Sequence, residues 1–270
     1  MNAIIYSRLA LITLGATFAA QSPAALQIAN PIVIAVRHGD CKAAAKIINT
    51  EARFSDSQVD FLAGRMLDEG ICVAEDHASA ARYYEHGAEL GDQSAALDYA
   101  EKLGLGEGAS QNYEQAGETC RAAGMDPKHL LSNYSLGYAC TLRGLAGKLL
   151  RLSLPTGAFL PTAGAAVRIE FTPAAEKMHI RATPGVGSAG IVTGSMIARP
   201  LIDAKAVIEN AWHSAQTSAP PPDASRLDSQ VIELSLDVDN TLEAGRAAAQ
   251  AGPQETLHPL LAGDTQRIRN

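Results

Sequence analysis

No cluster of lysine or arginine occurs in the chain, which carries 22 Lys+Arg against 29 Asp+Glu for a formal charge of −7. Nucleic acid and anionic lipid both require phosphate neutralisation, so neither is expected as a partner. Catalytic signatures are missing too. There is no H-E-x-x-H, no Cys-His ligand set, no G-x-S-x-G, no phosphate loop, and no nucleophile with an identifiable base. The seven histidines (His38, His77, His86, His129, His179, His213 and His258) lack ligand spacing and read as solvated side chains. Gly185, Gly187 and Gly190 match G-x-G-x-x-G by letter. They follow Thr183-Pro184 and precede a predicted strand, where a phosphate site needs a helix, so they read as a hairpin loop. Asp237, Asp239 and Asn240 lack the following glycine and distal glutamate of a calcium loop. The expectation is a non-enzyme with no catalytic residue, no cofactor and no metal.

Long uncharged runs are also scarce. After Arg8 the apolar stretch Leu9 to Ala20 covers 12 residues, short of the ~20 that a membrane-spanning helix needs. Small residues follow it. Residues 1–20 therefore read as a secretory signal peptide, with no anchor expected after cleavage and a secreted or periplasmic location. An uncleaved anchor is the rival, because Ile4 and Ile5 extend the apolar stretch. An exported chain with an even number of cysteines points to disulfides among Cys41, Cys72, Cys120 and Cys140. Buried apolar cysteine is the other reading. Four cysteines allow three pairings, and the count does not choose.

Hydrophobic residues make up 47% of the chain, enough for a packed core. The stretch 69–92, EGICVAEDHASAARYYEHGAELGD, shows how it is built. A shift of 36 residues lays Gly70 on Gly106, Ala80 on Ala116 and Leu67 on Leu103. The opposite shift lays Asp76 on Asp40 and Ala80-Ala81 on Ala44-Ala45. Such a period marks a helical repeat array. Each unit reads as two helices. The first spans about 58–69, opened by a Ser55/Gln58 capping box and closed by Gly70. The second starts after Asp76 and ends at Gly91, where Asp92 caps the next. Ala80, Tyr84 and Ala88 form one stripe, with Arg82, Glu85 and Glu89 elsewhere. The stripe reads as a packing seam and not as a cofactor box. A further helix over 128–152 carries Tyr138, Leu142, Leu145 and Leu149 on one face. Nearest-neighbour stacking favours Cys41 with Cys72 and Cys120 with Cys140.

Gly70, Asp76, Ala80, Ala81, Tyr84, Ala88 and Gly91, after Leu62, Ala63, Gly64 and Met66, resemble the Sel-one-like repeat, a relative of the tetratricopeptide repeat. The resemblance covers about 35–127, with 58–92 the good match; Cys120 and Pro127 stand where the next unit would have tyrosine and glycine. It implies a non-catalytic adaptor class that scaffolds protein complexes. The helical-repeat solenoid is expected over 35–152. Arg65, Asp68, Tyr83 and Tyr99 are the expected exposed partner-binding residues; packing between repeats is the competing explanation for the aromatic ones.

Beyond Leu154 prolines appear and alternation begins. VRIEFT and MHIRA read as strands, as does 190–198; a helix is predicted over about 202–216, with Ala204, Ile208, Ala211 and Ala215 as its stripe and Trp212 beside it. Pro220, Pro221 and Pro222 forbid its continuation. In VIELSLDV, Ile232, Leu234, Leu236 and Val238 face inward. This predicts a second, small α+β domain over 160–240, strand–strand–helix–strand. Its topology and the triple proline resemble the C-terminal modules of TolA and TonB envelope proteins over about 165–240. Residues 244–270 read as a flexible tail. The leading functional expectation is an exported non-enzymatic adaptor that binds a protein partner. The alternatives are an envelope component related to TolA/TonB-type transducers, and a hydrolase with an unrecognised site.

Overall fold

The computed structural model describes residues 30–51, 56–153, 167–182, 198–236, 249 and 254–258. Among the described residues seven helices come first: α1 (Pro31–Arg37), α2 (Cys41–Glu51), α3 (Ser57–Glu69), α4 (His77–Glu89), α5 (Gln93–Leu105), α6 (Tyr113–Ala122) and α7 (Asn133–Ser153). Strands β1 (Val167–Thr172) and β2 (Lys177–Ala182), helix α8 (Ala198–Ser218) and strand β3 (Ile232–Leu236) follow. The molecule is thus mostly helical with a small antiparallel sheet of order β2-β1-β3. The signal peptide, Ser55, the glycines at 185–190, residues 191–197 of the expected third strand, and Asp237, Asp239 and Asn240 lie outside the described residues. Ala198, the last residue of that expected strand, is helical. Among the described residues no helix is long and apolar enough to cross a membrane.

The helix ends are chemically marked, and the marks recur. Asp40 accepts from the Ala43 N–H at 2.9 Å, Asp76 from Ser79 at 3.0 Å and Asn112 from Gln115 at 3.2 Å, at positions 36 residues apart. Asp56 and Asp92, also 36 apart, cap α3 and α5. Gly70 and Gly106 close those two helices in the left-handed conformation, φ 63° and 76°. Each cap satisfies an orphan N–H and contributes about 1 kcal/mol. The expected Ser55 capping box is corrected: Asp56 caps α3, its carboxylate accepting from Gln58 and Val59.

Small residues set how close neighbouring helices come. A Cβ added to Gly64 would lie 2.6 Å from the Tyr84 ring, so α3 and α4 meet with glycine under tyrosine. At the α6–α7 crossing, a Cβ on Gly137 would overlap the Tyr113 carbonyl oxygen, and one on Gly117 that of Asn133. Disulfides Cys41–Cys72 and Cys120–Cys140 pair sequence neighbours, as stacking led one to expect. They join α2 to the segment after α3 and α6 to α7. Each contributes about 3 kcal/mol on the loop-closure model.

Packing divides the chain elsewhere than composition does. One hydrophobic cluster joins α1–α4 with Ala95, Ala249 and Leu257. The other runs without interruption from Ala100 of α5 through α6 and α7 into the sheet and α8. In the sheet Ile169 pairs with Ile180 on one side and Leu234 on the other. The face carrying Ile169, Phe171, Ile180, Ile232, Leu234 and Leu236 is buried, while Arg168 and Glu233 form an exposed ion pair at 2.6 Å on the opposite face. A chain of ring contacts links helices to sheet: Tyr134–Tyr113 (5.5 Å), Tyr113–Tyr138 (5.6 Å), Tyr138–Phe171 (6.2 Å) and Phe171–Trp212 (5.2 Å). Trp212 is fully buried. The proline turn after α8 is held to the helices as well, since Tyr113 Oη donates to the Pro220 carbonyl at 2.6 Å and Arg226 stacks over the Tyr134 ring.

Residues 254–258 depart from the expected flexible tail. Glu255 forms a parallel bridge with Val73, its N–H donating to the Cys72 carbonyl at 2.8 Å, and Leu257 is buried in the N-terminal cluster.

Candidate functional site

Helix α3 is apolar at Val59, Leu62, Ala63, Met66 and Leu67 and charged at Asp60, Arg65, Asp68 and Glu69, and all of these are buried. Solvated charges would be the ordinary outcome of an amphipathic pattern. Here α4, α5 and α7 supply partners inside the molecule. Asp68 is the centre. Its Oδ1 accepts from Lys102 Nζ of α5 at 2.5 Å and from Lys148 Nζ of α7 at 2.9 Å. The same atom lies 2.9 Å from His77 Nδ1 at the start of α4. One carboxylate thereby ties four helices together. Glu69 repeats the arrangement with Arg151 of α7 at 2.9 Å and Arg65 at 3.4 Å.

The electrostatics follow from burial and pairing. Burial opposes ionisation of Asp68, but the His77 hydrogen bond and the two ammonium groups outweigh it and hold the carboxyl well below the usual range. Burial likewise opposes the charge of Lys102, and Glu101, Asp68 and Glu107 outweigh it and raise its pKa. Glu101, fully enclosed, is pushed by burial up to about 7. Asp68, His77 and Glu107 offer ligand atoms within 4.8 Å of one another. However, Lys102 Nζ donates to both carboxylates, to Glu107 at 2.7 Å, so an ammonium group meets the charge a cation would meet. The cluster reads as an ion-pair network.

His77 carries a testable consequence. Its hydrogen bond with Asp68 raises its pKa above 6.5 despite partial burial. Protonated, it donates from Nδ1 to Asp68 and from Nε2 to Glu75 at 2.8 Å. A raised folded pKa stabilises fully below the unfolded value and is lost as pH rises through the folded one. The stability difference between the native chain and His77→Gln should therefore be largest at about pH 5.5 and shrink towards about pH 9. Urea midpoints at both values check this. A difference that grows with pH would contradict it.

A second buried pair lies between α3 and α4: His86 Nδ1 is 2.7 Å from Asp60 Oδ2, both residues nearly inaccessible. Burial raises Asp60 to about 6, opposed by the His86 hydrogen bond. This is the orienting half of a triad. His86 Nε2 has no hydrogen-bond partner among the described residues, so no nucleophile meets it there. His86 corrects the expectation of solvated histidines, because it is buried inside the hairpin with its Nδ1 paired to Asp60.

The four expected partner-binding residues do not form one exposed face. Arg65, Asp68 and Tyr83 are buried at 2%, 3% and 1% exposure, which corrects their expected exposure. Arg65 lies over the Phe61 ring and against Glu69, and Asp68 sits at the ion-pair centre. Tyr83 is covered by the C-terminal segment, and its hydroxyl donates to the His258 carbonyl at 2.6 Å. Burial lifts the Tyr83 hydroxyl to about 12. Tyr99 alone is half-exposed and donates to Glu85 of α4 at 2.9 Å. Sequence reasoning missed Asn49, whose amide holds that same segment: Nδ2 donates to the Thr256 carbonyl at 3.1 Å, and Oδ1 accepts from the His258 N–H at 2.7 Å. These bonds go to main chain, which leaves no side-chain pattern to find. Comparison with protein-family models, curated proteins and solved structures finds no match.

Proposed function

We propose that the protein is an exported, non-enzymatic adaptor that docks a protein partner on a short helical array of Sel-one-like type, with the small α+β unit as a second interaction module. The observation that carries this reading is the recurrence of Asp40/Asp76/Asn112, Asp56/Asp92 and Gly70/Gly106 at the same helix ends, with glycine and alanine between hairpins. Stacks of this kind present side chains along a continuous face, and specificity lies in that face. Two disulfides support a periplasmic or secreted location.

Photo-cross-linking in the producing cell tests it. A photoreactive residue in the full chain at exposed position 82 or 85, or at position 99, should trap a discrete protein. No adduct at any position of the array would overturn the adaptor reading.

A further inference from the structure

The C-terminal segment is held in a manner that is informative about what else the same surface can hold. Four hydrogen bonds fix it: Glu255 N–H to the Cys72 carbonyl, Asn49 Nδ2 to the Thr256 carbonyl, His258 N–H to Asn49 Oδ1, and Tyr83 Oη to the His258 carbonyl. Every one engages the segment's main chain. Its only buried side chain is Leu257, at 8% exposure, while Gln254, Thr256 and His258 point outward. A surface that grips backbone on both sides of one apolar anchor recognises extended peptide with little demand on sequence. The surface is built from separate elements: Asn49 from α2, Tyr83 from α4, and Cys72-Val73 from the connection after α3. The Cys41–Cys72 disulfide ties the first and last of these together.

We propose that this groove is the docking site for an extended peptide segment of the partner carrying a leucine-like side chain, and that residues 254–258 are its resident competitor. The inference rests on the adaptor reading and names its ligand. Asn49 supplies both a donor and an acceptor to residues two apart, the spacing at which an extended chain turns successive carbonyl and amide groups to the same side. The parallel bridge of Glu255 with Val73 sets the direction of the bound chain. Being covalently attached, the segment competes at an effective concentration of the order of millimolar, so a partner peptide of ordinary affinity enters only when the segment leaves. Tyr83, which sequence alone places among the partner-binding residues, then serves that role beneath the resident segment.

A fluorescein-labelled peptide of sequence PQETLHP, residues 253–259, is the probe, titrated by anisotropy against the full chain. Leu257→Asp should free the groove and tighten peptide binding at least about tenfold over the native chain. Adding Asn49→Ala should reverse that gain. His258→Pro removes the amide donor to Asn49 and restricts the backbone there, while leaving the Leu257 side chain unchanged. It should give a several-fold gain, and it carries the test if Leu257→Asp fails to fold by circular dichroism. Equal binding by the native chain and the freed variants would overturn the proposal and leave the segment a structural clasp. A gain that Asn49→Ala does not reverse would overturn the groove as assigned. Because the assay uses purified components, its failure beside an intact cross-linked partner sinks the groove alone, whereas a missing adduct sinks the adaptor reading.

Discussion

Asp68→Asn should destabilise the fold by about 3–5 kcal/mol, the cost of stranding a buried charge by removing its partner. The change keeps the size and removes the negative charge that faces Lys102 and Lys148. Lys102 has no side-chain exposure, so its ammonium cannot turn to water. It keeps Glu107 at 2.7 Å and Glu101 at 3.8 Å, which offset only part of the loss. For a chain of this size the melting temperature should fall by roughly 6–20 °C. Glu107→Gln provides the contrast, because Glu107 is partly exposed and its replacement should cost about 1 kcal/mol. The pH dependence has a definite sign. Asp68 has a depressed pKa, so its contribution is present above the ordinary carboxylate range and fades as pH falls through the folded value. A loss below 1 kcal/mol at neutral pH would show that Asp68 does not hold α3, α4, α5 and α7 together.

Trp212→Ala should cost a similar amount, about 3–5 kcal/mol for a large aromatic removed from a filled core. Trp212 is the only tryptophan and packs edge-on against Phe171 at the end of the ring chain that begins at Tyr134. Deleting it opens a cavity between α8 and the sheet and strips the edge contact from Phe171, the ring that packs on Tyr138 of α7. The loss should therefore extend beyond the sheet. Amide exchange should accelerate in β1 and β3 and in the middle of α7, while α1–α4, which belong to the other cluster, change little. A cost below about 1 kcal/mol, with acceleration confined to α8, would mean that the sheet does not share a core with the helices.

The contrast between these two residues explains what the sequence made legible. Local signals were readable because local physics produces them. Asp76, Asp92 and Gly70 sit at helix ends where their own backbone needs them, and Ile232, Leu234 and Leu236 alternate because a half-buried strand requires it. The 36-residue spacing carried the order of α2–α6, and neighbour stacking carried the disulfide pairing. Asp68 was not readable. Its partners Lys102 and Lys148 lie 34 and 80 positions away, and a charged side chain beside an apolar stripe looks like a solvent face until a third helix covers it. Helix α8 begins at Ala198, four residues before the predicted start, because the apolar stretch 190–198 reads as a strand that ends where the helix starts. The docked segment was invisible for a different reason. Apart from Leu257, its attachment runs through backbone groups, which every residue possesses.

Hydrogen–deuterium exchange of the full chain with and without its cross-link-identified partner tests the docking claim most directly. Binding should slow exchange in α2, α4 and the Cys72-Val73 connection and speed it at residues 254–258, as the resident segment gives way. Slowed exchange confined to the edge strands β2 or β3, with α2–α5 unchanged, would contradict docking on the helices and favour strand addition of the TolA/TonB type.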